Sequence, residues 1–256
     1  GPESGHAEAA ALIREARALF AARKKQLADG AALPKSPLAE AMIVEAETKA
    51  MNYLLADAYS HQDWFTAAKL IEESGTELLD KSMVATILRK SGQVRQAVEF
   101  ASSWYASAPE SEHAAEAYLR SLASAAGVGL ASAGAPASDV PRALLSLAGS
   151  SGGQNELLGL VFSLLSGSYS SSLRSYLLFL RGSLLADTDA AIDAYRSALM
   201  ERPDNVEALV ALAQAYHAKG DSAKAQFYIK QAKMLGVADM ELAAALSNLE
   251  SALAQK

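Results

Sequence analysis

Apolar residues recur at helical spacing through most of the chain, most regularly toward its C-terminal end. The first helix face of the clearest unit carries Ala208, Leu209, Leu212, Ala213 and Tyr216, which lie three or four positions apart. A Lys219-Gly220-Asp221 turn follows, with a glycine suited to end one helix and an acid suited to cap the next. The second apolar face carries Ala225, Tyr228, Ile229 and Ala232. This pattern predicts two helices joined by a tight turn.

The same design occurs 34 residues earlier along the chain. Helices are predicted over 172–185 and 190–200, with Asp187-Thr188-Asp189 as the turn between them. In the second of these helices, Ala191, Tyr195 and Ala198 are in register with Ala225, Ile229 and Ala232. Pro203 closes the unit, because the residue before a proline is pushed away from helical geometry.

Less regular helices are predicted over the rest of the chain. Two further pairs lie at 51–60 with 64–74 and at 78–90 with 94–105, and an amphipathic helix follows at 111–126. The centre is irregular, with a loop at 127–138, a glycine-rich break at 149–153, and short helices at 139–148 and 155–166. A basic amphipathic helix is predicted at 7–28, a helix at 38–50 that continues into 51–60, and a final helix at 239–254 that caps the array.

These units resemble the tetratricopeptide repeat family. The family's signature positions are filled by Leu209, Leu212, Ala213, Tyr216, Ala225, Ile229 and Ala232, with Val237 where the family has a closing proline. The resemblance implies an all-α fold, a right-handed α–α superhelix of about six irregular helix pairs plus a C-terminal capping helix. We expect one solenoid over residues 7–256, composed of helix pairs at 7–126, an irregular segment at 127–170, and well-matched repeats with the terminal helix at 171–256.

Composition narrows the classes of function. The chain has 256 residues, 51% of them hydrophobic, with a formal net charge of −6 and no cysteine. An acidic chain argues against a general nucleic-acid binder, and the lack of cysteine excludes disulfides and thiolate-bound zinc. The histidines form no HExxH motif, and the glycine-rich segments follow no predicted strand. We therefore expect no enzyme activity, no catalytic residues, no metal and no cofactor.

Arrays of this family bind protein or peptide partners, and the resemblance implies that the first helix of each pair lines a concave groove. The candidate groove residues are Tyr53, Asp57, His61, Ser82, Thr86, Arg89, Lys90, His113, Glu116, Arg120, Tyr176, Leu180, Glu207, Val210, Gln214 and His217. In such a groove, aromatic side chains would anchor a partner and arginines would hold its carboxylates. The leading interpretation is thus an interaction scaffold or adaptor.

Other interpretations stay open at this point. The apolar stretch 157–185, with Phe162, Tyr176 and Phe179, is a candidate wall for a small-molecule pocket in a ligand-binding or transport-associated protein. The end helices are candidates for self-association. No stretch reaches the roughly 20 apolar residues of a membrane span.

The location of the protein is suggested by composition and by its first residues. High alanine content favours a bacterial origin, and Gly-Pro-Glu-Ser-Gly-His at residues 1–6 resembles a protease scar left by cloning. On this basis a periplasmic or lipid-anchored protein of the cell envelope is slightly favoured over a cytoplasmic one.

Overall fold

The computed structural model describes residues 37–76, 79–128 and 151–254, together with residues 11, 15, 16, 18, 19, 21, 22, 25, 26 and 29. Every regular element within these ranges is an α-helix, which confirms the all-α class. The chain divides into two compact units, Gly1–Gly92 and Gln93–Lys256, here called the N-terminal and C-terminal units. Within the described residues, no helix combines the length and apolar character that a membrane crossing requires.

The N-terminal unit contains three helices: α1 (Pro37–Ser60), α2 (Trp64–Ser74) and α3 (Lys81–Lys90). Helix α2 packs against both α1 and α3. The predicted continuation of 38–50 into 51–60 is confirmed by the unbroken α1. Helix α3 begins at Lys81 rather than at residue 78, because the side chain of Asp80 caps it by accepting from the backbone N–H of Met83 at 2.8 Å.

The turn between α1 and α2 has no glycine, and this gives it an unusual backbone. Gln62 takes a φ of 54°, in the left-handed region that Gly92 and Gly220 occupy in the corresponding turns of other pairs. Asp63 then caps α2, with its Oδ1 accepting from the backbone N–H of Thr66 at 3.1 Å. A conventional helix start therefore follows a turn that is less favourable for an L-residue than for glycine.

The C-terminal unit contains eight described helices: α4 (Val94–Ser107), α5 (Glu112–Ala125), α6 (Ser151–Leu165), α7 (Ser171–Leu184), α8 (Thr188–Glu201), α9 (Val206–Ala218), α10 (Ser222–Leu235) and α11 (Met240–Ala254). Helix α7 pairs with α8 and α9 with α10, while α11 lies against both α9 and α10. The first helices contact one another in series, α5 with α7 and α7 with α9. The last two predicted helix pairs and the terminal helix are thus found, whereas the predicted pair 78–90 with 94–105 is divided between the two units.

Side-chain caps start most of these helices. The capping oxygens of Ser111, Ser170, Asp187, Asn205 and Asp221 each accept a backbone N–H three residues further on. Asp187 and Asp221 lie in the turns predicted from the sequence, so the starts of α8 and α10 could be predicted from these capping residues.

The irregular centre departs from prediction where it can be compared. Helix α6 begins at Ser151, inside the predicted glycine-rich break at 149–153, because glycines are tolerated in a first helical turn whose N–H groups have no partner within the helix. The helix predicted at 139–148, and most of the loop predicted at 127–138, lie outside the described residues. Most of the predicted helix at 7–28 also lies outside them.

The α7–α8 and α9–α10 repeats differ at two core positions, where a small and a large side chain have changed places. In the α9–α10 repeat, Ala213 and Tyr216 are both buried on α9; the equivalent places on α7, 34 residues earlier, hold Phe179 and Gly182. The ring of Tyr195 from α8 fills the space above Gly182. A Cβ added at Gly182 would lie 2.5 Å from Cε1 of that ring. The ring also packs against Phe179, with centroids 6.0 Å apart.

We therefore expect Gly182→Ala to lower the free energy of unfolding by about 1–2 kcal/mol, since overpacking outweighs the gain of about 1 kcal/mol in helix propensity. Gly159→Ala is the matched control, because Gly159 lies in α6 with nothing within 4 Å of an added Cβ. That control should be neutral or stabilising. Urea unfolding measures both, and a stabilised Gly182→Ala variant would contradict the contact.

Candidate partner-binding face

The first helices of the C-terminal unit are joined across their shared face by one arginine. Arg120 on α5 donates from Nη1 and Nη2 to the two carboxylate oxygens of Glu207 on α9, at 2.9 and 3.2 Å. Its Nε donates to Oε1 of Glu116, one turn earlier on α5, at 2.9 Å. Because α7 lies between α5 and α9, this forked contact spans three consecutive first helices.

The middle helix contributes an aromatic ring beneath the same guanidinium. The guanidinium carbon of Arg120 lies 3.9 Å from the ring centroid of Tyr176 on α7, close enough for a cation–π contact. Tyr176 is itself buried. We call Glu116, Arg120, Tyr176 and Glu207 the arginine cluster.

The electrostatics of this cluster favour a permanently charged arginine. Burial alone would lower the pKa of Arg120, but the carboxylate of Glu207 and, more weakly, Tyr176 and Glu116 raise it well above its ordinary value. The side chains of Arg120 and Glu207 are each 28% exposed, so both still reach solvent. One guanidinium against two carboxylates leaves the cluster with a net negative charge.

A second polar link joins the starts of α5 and α7. The carboxylate of Glu112 accepts hydrogen bonds from the backbone N–H of Ser170, at 2.8 Å, and from the Ser170 hydroxyl. These two hydrogen bonds lower the pKa of Glu112, the hydroxyl contributing more than the backbone. Ser170 is also the cap of α7, so Glu112 fixes α7 at its first turn.

A buried hydroxyl joins α7, α8 and α9. Ser175 donates to the backbone carbonyl of Ala198 at 2.8 Å and accepts from Nδ2 of Asn205, also at 2.8 Å. Asn205 caps α9 by accepting from the backbone N–H of Ala208 at 3.0 Å. The helices α5, α7 and α9 are therefore joined by the arginine cluster and also by hydrogen bonds at the starts of α7 and α9.

The candidate residues of the N-terminal unit lie on α1, in the turn that follows it, and on α3. Tyr53 and Asp57 lie on α1 and His61 directly after its end, at four-residue spacing; Tyr53 and His61 are exposed and Asp57 is half-buried. Nδ1 of His61 lies 2.9 Å from the backbone oxygen of Asp57 and 3.5 Å from its carboxylate. The other candidates of this unit, all half-buried on α3, are Ser82, Thr86, Arg89 and Lys90.

Three apolar groove candidates of the C-terminal unit are core residues instead. Tyr176, Leu180 and Val210 are buried, the last two completely. Tyr176 and Leu180 are covered because they lie on α7, which is flanked by α5 and α9, and Val210 is covered because it lies on α9, which packs against α7, α8, α10 and α11. By contrast, His113 is exposed, and Glu116, Arg120, Glu207, Gln214 and His217 are half-buried.

The aromatics proposed as pocket walls mostly pack between helices. The ring centroids of Tyr176 and Phe179 are 6.0 Å apart, and those of Phe179 and Tyr195 are also 6.0 Å apart, with the rings tilted by 32° and 35°. Phe162 is exposed, with the Arg181 guanidinium 5.3 Å from its ring centroid. Two of the three candidate pocket aromatics, Tyr176 and Phe179, therefore lie in the core, and the third, Phe162, is exposed.

The sequence patterns did not single out the exposed aromatic residue Phe65. Phe65, in the first turn of α2, is 80% exposed, while its neighbour Trp64 packs edge-on against Tyr59 at 5.4 Å. The helical pattern could have identified it, because Phe65 lies off the face that carries the buried Ala67, Ala68 and Ile71.

Comparison with known proteins agrees with this architecture. The tetratricopeptide repeat model matches residues 185–249. Among solved structures, the chain is similar to TTC0263, a thermophilic TPR protein of Thermus thermophilus, with 17% identity and a TM-score of 0.55 over 80% of this chain and 99% of that one. At this identity the likeness shows the fold.

Two further solved structures overlap less well. MamA of AMB-1 shares 18% identity, with a TM-score of 0.40 over 78% of this chain and 98% of that one. The Naa15/Naa10 complex bound to HypK-THB shares 16% identity, with a TM-score of 0.36 over 93% of this chain and 43% of that one. No curated protein matches the chain in sequence.

Proposed function

We propose that this chain, which has a fold of the tetratricopeptide type, is a protein-interaction scaffold. The proposed site for a partner peptide is the face formed by α5, α7 and α9. The arginine cluster is the observation that carries the proposal. It fixes three helices in one arrangement while leaving its carboxylates partly open to solvent. A rigid, partly polar face loses little conformational freedom when a partner binds, which favours affinity.

The cluster also changes the chemistry expected of the partner. Arg120 was a candidate donor to a partner's carboxylate, but its forked hydrogen bonds already go to Glu207. Each carboxylate oxygen has two acceptor sites, so Glu116 and Glu207 keep acceptor capacity toward the open face. The proposed partner segment therefore presents backbone N–H groups or cationic side chains here, with Gln214 and His217 as further polar contacts. In the N-terminal unit, Tyr53, Asp57, His61, Thr86, Arg89 and Lys90 remain proposed contacts.

Position-specific crosslinking in the host cell tests the proposal. A photo-activated amino acid placed at His113 or at Gln214 should yield a covalent adduct with the same partner. Placed at Arg196, an exposed residue of α8, it should yield none. His113 and Gln214 are not members of the arginine cluster, so their replacement leaves the contacts of the cluster in place. Equal adduct yields at Arg196 and Gln214, or no adduct at either His113 or Gln214, would contradict the proposal that the partner binds on the face formed by α5, α7 and α9.

The high alanine content supports a bacterial origin, and a place in a cell-envelope assembly is a further part of the proposal. Fractionation of the host cells, followed by detection of the full-length protein, checks this location. Recovery in the cytoplasmic fraction would exclude it without affecting the proposed binding face.

A further inference from the structure

A groove lies between α10 and α11, away from the arginine cluster. Its volume is ≈ 580 Å³, and its floor is formed by the buried side chains of Ile229 and Leu253. Met234 forms one wall, and Lys230, Lys233 and Glu250 stand at the rim. The Nζ of Lys233 holds Glu250 across the groove at 2.8 and 2.9 Å, which ties the two helices together.

The apolar lining continues onto the exposed surface of α10. Met234 is 78% exposed, and Phe227 and Leu235 on the same helix are also exposed. These exposed apolar side chains lie on the helix that forms one side of the groove, so a partner seated in the groove could also cover them. The exposure of Met234 also argues against a small molecule, since small-molecule sites enclose most of the ligand surface.

The charge on α10 differs from that of the whole chain. The helix carries Lys224, Lys230 and Lys233 and no acidic residue, in a protein whose formal net charge is −6. Lys224 pairs with Asp221 at 2.8 Å and Lys233 pairs with Glu250. Within the described part of the chain, Lys230 has no ion-pair partner. A complementary ligand would therefore bring carboxylates to this rim.

We propose that the α10–α11 groove binds an acidic amphipathic helix of a partner protein. The partner's apolar side chains pack on Ile229, Met234 and Leu253, and its Glu or Asp side chains meet Lys230, whose charge no ion pair among the described residues neutralises. A helix suits a groove between two helices, because side chains three and four positions apart lie along one line. This site involves other helices than the face proposed above and does not depend on it.

The repeat supplies matched controls for the test. Residues 34 positions before Met234 and Lys230 are Met200 and Arg196, which occupy the equivalent places on α8 but do not line the groove. Met200 is 86% exposed, so Met200→Asp and Met234→Asp should both leave the fold intact. Arg196→Glu likewise matches Lys230→Glu in charge change.

The probe is a synthetic helical peptide of about 18 residues with leucines at three-and-four spacing and glutamates on both flanks. A second peptide has lysines in place of the glutamates. Fluorescence anisotropy with the full chain should show the acidic peptide binding about tenfold more tightly than the basic one, with the ratio falling as salt rises. We expect Lys230→Glu to reduce acidic-peptide binding about fivefold, and Met234→Asp to weaken both peptides.

Met200→Asp and Arg196→Glu should leave both affinities unchanged. No binding of the acidic peptide, no preference between the peptides, or an equal loss in Arg196→Glu would overturn the proposal. Vesicles containing an anionic phospholipid form a separate arm. If they bind the chain and lose it on Met234→Asp while neither peptide binds, the surface is a membrane contact and the proposed helix site is wrong.

Discussion

Replacing Leu180 with alanine should lower the free energy of unfolding by about 2–5 kcal/mol, the range for truncating a fully buried leucine. Leu180 is completely buried in the main cluster of apolar residues of the C-terminal unit. The alanine would leave a cavity between helices that are fixed by other contacts and can collapse only in part. Urea unfolding followed by circular dichroism measures the change.

Met200→Ala is the control for this experiment. Met200 is also a large apolar residue of the same unit, but its exposure predicts a change within about 0.5 kcal/mol. The outcome separates two interpretations of Leu180. A variant with unchanged stability and lost partner binding would restore Leu180 as a groove contact. A variant with lower stability and intact binding below its unfolding transition places it in the core.

Replacing Arg120 with methionine should cost about 2–3 kcal/mol, somewhat less than a fully buried ion pair because the side chains reach solvent. The change removes three hydrogen bonds to Glu116 and Glu207 and the cation–π contact with Tyr176. Methionine keeps most of the packing volume over Tyr176, so the loss reports the charge. The two glutamates would then face one another, part-buried, without a cation between them.

A double-mutant cycle with Glu207→Gln tests the source of this effect. If the forked pair is the dominant contact, Arg120→Met should cost much less in the Glu207→Gln background than in the natural chain. Arg120→Lys should be intermediate, because an ammonium cannot make the fork to both oxygens. Additive effects of the two changes would show that the contact between α5 and α9 contributes little to stability.

Local chemistry made much of the fold readable from the sequence. The 34-residue register, the capping aspartates at 187 and 221, and Gly220 in its turn identified the last two helix pairs. The helices predicted at 172–185 and 190–200 agree with α7 and α8 within two residues at each end. The caps and the turn glycine act within one or two helical turns, and the 34-residue register is a repeat along one chain, so a single sequence contains all of these signals. The start of α6 was misplaced because glycines were read as a break.

The candidate face was less readable, because it depends on contacts between distant segments. Family geometry placed Tyr176 and Leu180 in the open, but neighbouring helices and the Arg120 side chain cover them. Arg120 and Glu207 are 87 positions apart, and nothing in helical periodicity indicates that they meet. Phe65 is the reverse case, since its position off the apolar face of α2 was available in the sequence.

The ring of Tyr195 occupies the space that a side chain at position 182 would need. The α7–α8 and α9–α10 repeats therefore cannot be exchanged residue for residue. Grafting the α9 signature onto α7 would put a tyrosine at position 182, directly into the ring that now covers it. Consensus engineering of this protein must therefore move both positions together, with a smaller residue at 195 wherever 182 gains a side chain. We therefore expect positions 182 and 195 to change together in relatives that keep the α7–α8 repeat.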